Sequence, residues 1–335
     1  MKALVIGGGG FVGSAIVRQL VDKGVDVAVF GRNRYPHLEK LDVKQVQGDI
    51  LDSDHLIRSM QKYDTVFHVA AKAGIWGSKD EFEQINVTGT RNVLGACFAN
   101  GVQTLVYTST PSVVFDRKDL QGADETTPYA ERFLCYYASS KAMAEQMVLT
   151  ANSKLLKTCA IRPHLIWGPG DPHLIPRLVE RGKRRELKIV GNGSNLVDIS
   201  YIDNVADAHV LAAENLNSFA TAAGNAYFIS QGEPVNLWHW INDLFVRLNI
   251  APVKKKVSFG TAYTAGTLLE GIYMWFSMAK EPRMTRFLAE QLARSHWFSI
   301  KKARHDLGYK PRVSTAEGLD RLVAWIKNEK RFQGF

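Results

Sequence analysis

The chain opens on a short apolar run, KALVI, and passes at once into GGGGFVG. Consecutive glycines do not continue a strand, because they bring no side chain to pack and cost the most backbone entropy to order. Their use is a tight turn. Gly7, Gly10 and Gly13, spaced three apart after a strand and at the mouth of an amphipathic stretch, allow backbone N–H groups and a helix N-terminus to receive a pyrophosphate. A glycine triplet alone also suits a flexible strand-to-helix turn. Its place on the first strand, with a second strand, DVAVF, following on schedule, favours dinucleotide binding, with Phe11 and Val12 inside the same turn.

Beyond the turn, the runs DVAVF, VKQVQ, DTVFHV and TLVYTS alternate with amphipathic stretches at 12–23, 52–61 and 82–99. That alternation predicts βαβ units, hence an α/β fold with a doubly wound parallel (Rossmann) sheet and helices on both faces. After TCAIRP (158–163) the rhythm becomes irregular, with Gly- and Pro-rich loops such as WGPGDPHLIP and VGNGSN. The expected division is a dinucleotide-binding domain over 1–165, its sheet completed by parts of 185–230, and a smaller mixed α/β substrate lobe over most of 166–335.

With 335 residues, 46% of them apolar, the chain can bury a sizeable core and is neither disordered nor fibrous. Its first residues lack the succession of basic, apolar and small residues of an export signal, so a cytoplasmic protein is expected. Cys97, Cys135 and Cys159 are odd in number, widely spaced and set among apolar residues. They read as buried free thiols, with neither a disulfide framework nor a metal site indicated. The net charge of +9 is unevenly placed: residues 251–335 carry 16 Lys and Arg against 7 Asp and Glu, whereas residues 1–250 are balanced. This argues against a nucleic-acid footprint spread over the fold. The excess suits an acidic partner, anionic lipid or plain solubility near the C-terminal part. In that part AYTAGTLLEGIYMWFSMA (262–279) has a single charged residue, Glu270. A buried or lid helix over an apolar pocket is the first expectation, a monotopic membrane contact the second, since a central Glu and a bare spanning length speak against a true span.

The second strand ends in Gly31-Arg32-Asn33-Arg34. A site selective for NAD places a carboxylate near this strand end to hold the ribose 2′-hydroxyl. Glycine and then arginine stand here instead, and a guanidinium fork suits phosphate oxygens. NADP(H) is therefore expected over NAD(H), with Arg34 able to share the role of Arg32. Asp49 and Ile50 follow the third strand, and Ala70 and Ala71 the fourth, where small or adenine-facing groups should line the cofactor. The fifth strand ends in the hydroxyls Thr108, Ser109 and Thr110. Carbonyl reduction needs a neutral hydroxyl donor on the substrate oxygen and a second group to deliver the proton. In FLCYYASSK (133–141) Tyr137 can be that second group. On a helix Lys141 lies one turn beyond Tyr137 on the same face, whereas Tyr136 points roughly a hundred degrees away and is left to packing. A phenol of pKa about 10 needs a nearby ammonium before it works well near neutrality, which is the expected task of Lys141.

Taken together, GGGGFVG, HVAAKAGIWG, NVTGTRNVL, VYTSTPSVVF, YYASSK, IRPHLIWGPGDPHLIPRL, VDISYIDNVADAH and DLGYKPRVSTAEGL span nearly the whole chain. They resemble the extended short-chain dehydrogenase/reductases, within them the 3β-hydroxysteroid dehydrogenase-like branch. The resemblance implies a Ser/Thr-Tyr-Lys active site at Thr110, Tyr137 and Lys141, with Thr110 where the family usually has serine and Ser109 as a competing candidate. It implies that Lys141 bonds the nicotinamide ribose, that Pro163 and His164 border nicotinamide and substrate, and that homodimers form through the helices bearing Asn86 and Tyr137. Asn86 itself is expected to be structural. The implied activity is NADPH-dependent reduction of the ketone of a long-chain 2-alkyl-3-oxoalkanoic acid to the 3-hydroxy acid. A 3β-hydroxysteroid or sterol dehydrogenase is the alternative, and a non-catalytic NADP(H)-sensing or scaffold protein the alternative of another class. The basic C-terminal part could meet a membrane surface or a pathway enzyme.

Overall fold

The computed structural model describes residues 1–329 and 332; the final residues of the expected lobe, 330, 331 and 333–335, lie outside the described residues. Seven parallel strands form the centre: β1 (Lys2–Ile6), β2 (Asp26–Gly31), β3 (Lys44–Gln47), β4 (Thr65–His68), β5 (Thr104–Thr108), β6 (Lys157–Pro163) and β7 (Asn225–Ile229). Their spatial order is β7-β6-β5-β4-β1-β2-β3. Ile6, at the end of β1, stands beside Phe30 of β2 and His68 of β4. Successive strands run outward in opposite directions from that point, which opens a crevice at the carboxyl ends of β1 and β4.

Side-chain alternation along the strands divides the core between the two faces. Ala3, Val5, Val29, Phe67, Val106 and Ile161 pack with residues of helices Phe11–Asp22 and Ile202–Leu216. Leu4, Ile6, Phe30, Val66, Leu105 and Tyr107 pack with Ser53–Met60, Gly89–Asn100 and Tyr136–Thr150. A period of two with both sets apolar is what a parallel sheet covered on each side requires. The expected helix at 82–99 is broken by a π-helical turn, Glu83–Thr88, before Gly89–Asn100 ends on Gly101 in the left-handed conformation.

A second sheet of four short strands, in the order Val235–Asn236, Leu196–Val197, His296–Phe298, Leu120–Ala123, builds the smaller lobe. Leu120–Ala123 reaches it from the first half of the chain, while β7 returns from the later part to the edge of the main sheet.

Of the two forms of the first expectation for the apolar segment 262–279, the buried helix does not hold. Helix Phe259–Trp275 forms, capped by Ser258, but only Ala262, Gly266 and Glu270 along it are buried. These three lie four residues apart, so a narrow stripe seats the helix. At Gly266 a Cβ would stand 2.6 Å from the backbone of Thr285, and Glu270 accepts from the Arg286 backbone N–H at 2.6 Å and from its Nε at 2.7 Å. Such close backbone approach leaves the rest of the helix surface in the open. Among the described residues no helix is long and apolar enough to cross a membrane.

Candidate active site

The glycine turn shapes the first wall of the crevice. Gly7 has φ +84°, and a Cβ on Gly13 would lie 2.2 Å from the Gly7 carbonyl oxygen, so only glycine lets the helix start this close to the strand end. Helix Phe11–Asp22 begins at Gly10 with no side-chain cap and no acidic residue in its first turn. Its positive end is thereby left to an anion.

A cleft of about 630 Å³ runs from this turn across the strand ends. Gly7, Gly10, Phe11, Val12 and Gly13 line one end, with Arg32, Asp49 and Ile50 beside them. Asp49 Oδ1 is engaged by the Leu51 N–H at 2.9 Å. Ala70 and Ala71 line the middle. Ser109, Thr110, Tyr137, Lys141 and Pro163 line the other end. Residues not singled out from the sequence also contribute, among them Tyr35, Leu165, Ile166, His173 and Leu174. Tyr35 is well determined by its surroundings: its ring fills the space where a Cβ on Gly9 would stand, 2.1 Å away. The pairing of a third glycine with an aromatic one strand later carries that information weakly.

His164 is not brought into the cleft. Pro163 and Leu165 line the cleft, but His164 between them, just past the end of β6, does not. Its Nε2 donates to His296 Nδ1 at 2.6 Å, because His296 Nε2 is committed to the Gln291 carbonyl at 2.9 Å. Burial holds His164 well below the ordinary histidine range, with the second imidazole adding to the effect. Burial favours the neutral form of both rings.

Tyr137 and Lys141 sit one turn apart on helix Tyr136–Thr150, both facing the cleft. Burial pushes the Tyr137 phenol up to about 12, opposed by a hydrogen bond with the Thr110 hydroxyl. Thr110 is itself held, its Oγ1 accepting from the Ser112 N–H at 3.2 Å at the start of the turn Pro111–Val113. Ser109 also lines the cleft, and its buried hydroxyl has no partner among the described residues. The Thr110 hydroxyl, by contrast, donates to Ser112 Oγ at 3.2 Å and lies close enough to act on the phenol. Lys141 Nζ donates to the Thr108 carbonyl at 2.6 Å and stands 4.0 Å from the centre of the Tyr107 ring. Burial draws its pKa down to about 7, opposed by the charge of Glu145. The expected lowering of the phenol by this ammonium is absent from the protein alone, where burial dominates Tyr137 and Lys141 turns to the strand end instead.

Around these groups lies a buried polar frame. Glu145, one turn beyond Lys141, binds Arg162 of β6 through both carboxylate oxygens, Oε2 to Nε at 2.9 Å, and accepts from the Tyr129 hydroxyl at 2.7 Å. Its spacing from Lys141 was the available signal. Asn86, in the π-turn, accepts from the Lys72 N–H at 2.8 Å and donates to Ser140 Oγ at 2.9 Å, tying the loop after β4 to the tyrosine-bearing helix. Tyr136, expected to pack, is largely exposed.

The site joins a pyrophosphate-ready turn, a cation at the second strand end, and a hydroxyl, a phenol and an ammonium in one cleft. Known proteins with this sequence pattern agree in class. The chain is 50% identical over 327 residues to the 2-alkyl-3-oxoalkanoate reductase of Stenotrophomonas maltophilia, covering 97% of this chain and 99% of that one. It is 35% identical over 330 residues to the mouse (Mus musculus) sterol-4-alpha-carboxylate 3-dehydrogenase, decarboxylating, covering 96% and 90%. A solved dTDP-glucose 4,6-dehydratase double mutant from Streptomyces venezuelae, with NAD bound, superposes with TM-score 0.78 at 25% identity, covering 99% of this chain and 98% of that one. With residues 4–259 matching its family pattern as well, the chain belongs to the 3-beta hydroxysteroid dehydrogenase/isomerase family of oxidoreductases.

Proposed function

We propose that the protein is an NADPH-dependent reductase that converts the ketone of a long-chain 2-alkyl-3-oxoalkanoic acid to the 3-hydroxy acid. The observation that carries this reading is the convergence of Thr110, Tyr137 and Lys141 on the cleft whose far wall is the glycine turn. The relative at 50% identity over 97% of the chain supports the substrate class. When bound, the dinucleotide supplies hydride to the ketone carbon. The chain supplies the rest. Thr110 holds the carbonyl oxygen by a hydrogen bond, and Tyr137 gives its proton to that oxygen as the C–O double bond becomes a C–O single bond. The phenol is protonated near neutrality, as a proton donor to the ketone oxygen must be. Lys141, donating to the Thr108 carbonyl, is placed to meet the cofactor ribose and, in its protonated form, to stabilise the phenolate left behind.

NADP(H) is favoured over NAD(H) by Arg32, which lines the adenine end of the cleft and has no ion pair among the described residues. Its guanidinium suits a 2′-phosphate. A sterol dehydrogenase remains the second reading, supported by the 35% identical relative and the same three catalytic groups. A homodimer through helices Gly89–Asn100 and Tyr136–Thr150 is supported by Phe98, Tyr136 and Met143, exposed large side chains on those helices.

The test is NADPH oxidation measured over long-chain 2-alkyl-3-oxo acids, 3-ketosteroids and short β-keto esters. Turnover of the branched 3-oxo acids is expected, and activity confined to steroids would refute the substrate. Arg32→Ala should raise KM for NADPH about tenfold or more while leaving that for NADH nearly unchanged, since one charge-assisted contact contributes about 1.5–3 kcal/mol.

A further inference from the structure

Gly9 falls outside the three-residue spacing of Gly7, Gly10 and Gly13, and it is not one of the glycines with positive φ, so the turn itself does not demand glycine there. A neighbour does. A Cβ on Gly9 would stand 2.1–2.2 Å from three carbons of the Tyr35 ring. At its other end the ring reaches Gly31, the last residue of β2, where a Cβ would stand 3.2 Å from the Tyr35 hydroxyl. The phenol therefore bridges the glycine turn and the end of the second strand.

The bridge is held from behind. The Tyr35 N–H donates to Gln45 Oε1 at 2.8 Å, and Gln45 Nε2 donates to the Tyr35 carbonyl at 3.2 Å, so β3 grips the residue through both of its backbone groups. The ring meets His37 edge to face at 6.0 Å, and His37 Nε2 shares a hydrogen bond of 2.9 Å with Ser14 Oγ on the helix that follows the glycine turn. The hydrogen bonds of Tyr35 among the described residues all come from its backbone. Its hydroxyl is left for a ligand.

Tyr35 lines the cleft together with Arg32. In a doubly wound fold the pyrophosphate lies on the turn after the first strand and the 2′ group of the adenosine ribose at the end of the second. A ring that spans those two places meets the ribose that joins them. NADP and NAD differ only in what stands at that 2′ position, and a hydroxyl donating to a phosphate oxygen forms a charge-assisted bond, roughly twice as strong as one to a neutral hydroxyl. We propose that Tyr35 is a specificity-determining residue for the cofactor, its ring supporting the adenosine ribose and its hydroxyl donating to the 2′-phosphate beside Arg32. The ring takes the place that a side chain at position 9 would fill, which is why glycine stands there. This role rests on the NADP(H) preference proposed above.

Calorimetric binding of adenosine 2′,5′-bisphosphate and of 5′-AMP to the full chain tests it, since the two ligands differ only in the 2′-phosphate and neither needs a reaction. The parent protein is expected to bind the bisphosphate at least about tenfold more tightly. Tyr35→Phe, which keeps the ring over Gly9, should weaken the bisphosphate about tenfold and leave 5′-AMP within about twofold, with the thermal midpoint unchanged. Gly9→Ala, whose Cβ displaces the ring, should weaken the bisphosphate in the parent but not further in Tyr35→Ala. Unchanged bisphosphate affinity in Tyr35→Phe would overturn the role of Tyr35, and if Arg32→Ala still weakens that ligand the NADP(H) reading stands. An equal loss on both ligands would overturn it too, reducing the residue to a wall of the cleft. A parent protein that binds both ligands alike would overturn the role of Tyr35 and the NADP(H) reading together. A chain that selects the bisphosphate through Tyr35 but reduces no 3-oxo acid keeps this inference and refutes the function.

Discussion

Lys141 is an ammonium drawn into the protein interior, where burial moves its pKa from 10.5 to about 7 despite the opposing charge of Glu145. Folding therefore expels a proton from this side chain at pH values between the two. The sign follows: the site costs nothing above about pH 10.5, and its stability contribution is lost as pH falls through about 7. Lys141→Met should accordingly gain more thermal midpoint over the parent at pH 6 than at pH 10, and equal gains at both would contradict the buried charge. The spacing of Tyr137 and Lys141 was legible in the sequence because helical periodicity alone puts them on one face. The orientation of His164 was not open to the same kind of argument, since it lies past the end of β6, next to Leu165 with φ +41°, where strand alternation no longer applies. What the sequence could not show is the direction of the Tyr137 shift. That depends on enclosure by distant elements, and on Lys141 bonding the Thr108 carbonyl.

Between elements, the helix that carries Tyr137 is pinned to β6 by the pair of Glu145 and Arg162, both buried. A buried pair is weak evidence of net stability, but removing one partner strands the other without solvent. Glu145→Ala should lower stability by about 3–5 kcal/mol in denaturant titration, and a loss under about 1 kcal/mol would mean the pair does not anchor the helix. The strands and most helices followed from alternation because each buries a face whose period is local. The π-turn at Glu83–Thr88 and the exposure of helix Phe259–Trp275 did not. A nearly uncharged segment reads as buried, and only the contact of Gly266 with the backbone at Thr285 shows how narrow its seat is.

At the scale of the whole molecule, the reversal of strand order between β1 and β4 creates the crevice; Gly7, Arg32, Ala70, Ser109 and Pro163 line it at or just beyond strand ends, and a helix brings in Tyr137 and Lys141. The glycine turn announces that arrangement from the first residues. The exchange of Leu120–Ala123 into the lobe sheet has no local pattern, because the pairing of distant short strands is decided by tertiary packing. The central claim is that this crevice places Tyr137 to protonate a ketone oxygen. Its most direct measurement is turnover and NADPH affinity of Tyr137→Phe on the substrate the parent protein reduces. The account predicts a fall in kcat of about 10²–10⁴-fold with NADPH binding within about twofold of the parent. Unchanged kcat in a variant that binds NADPH normally would contradict it.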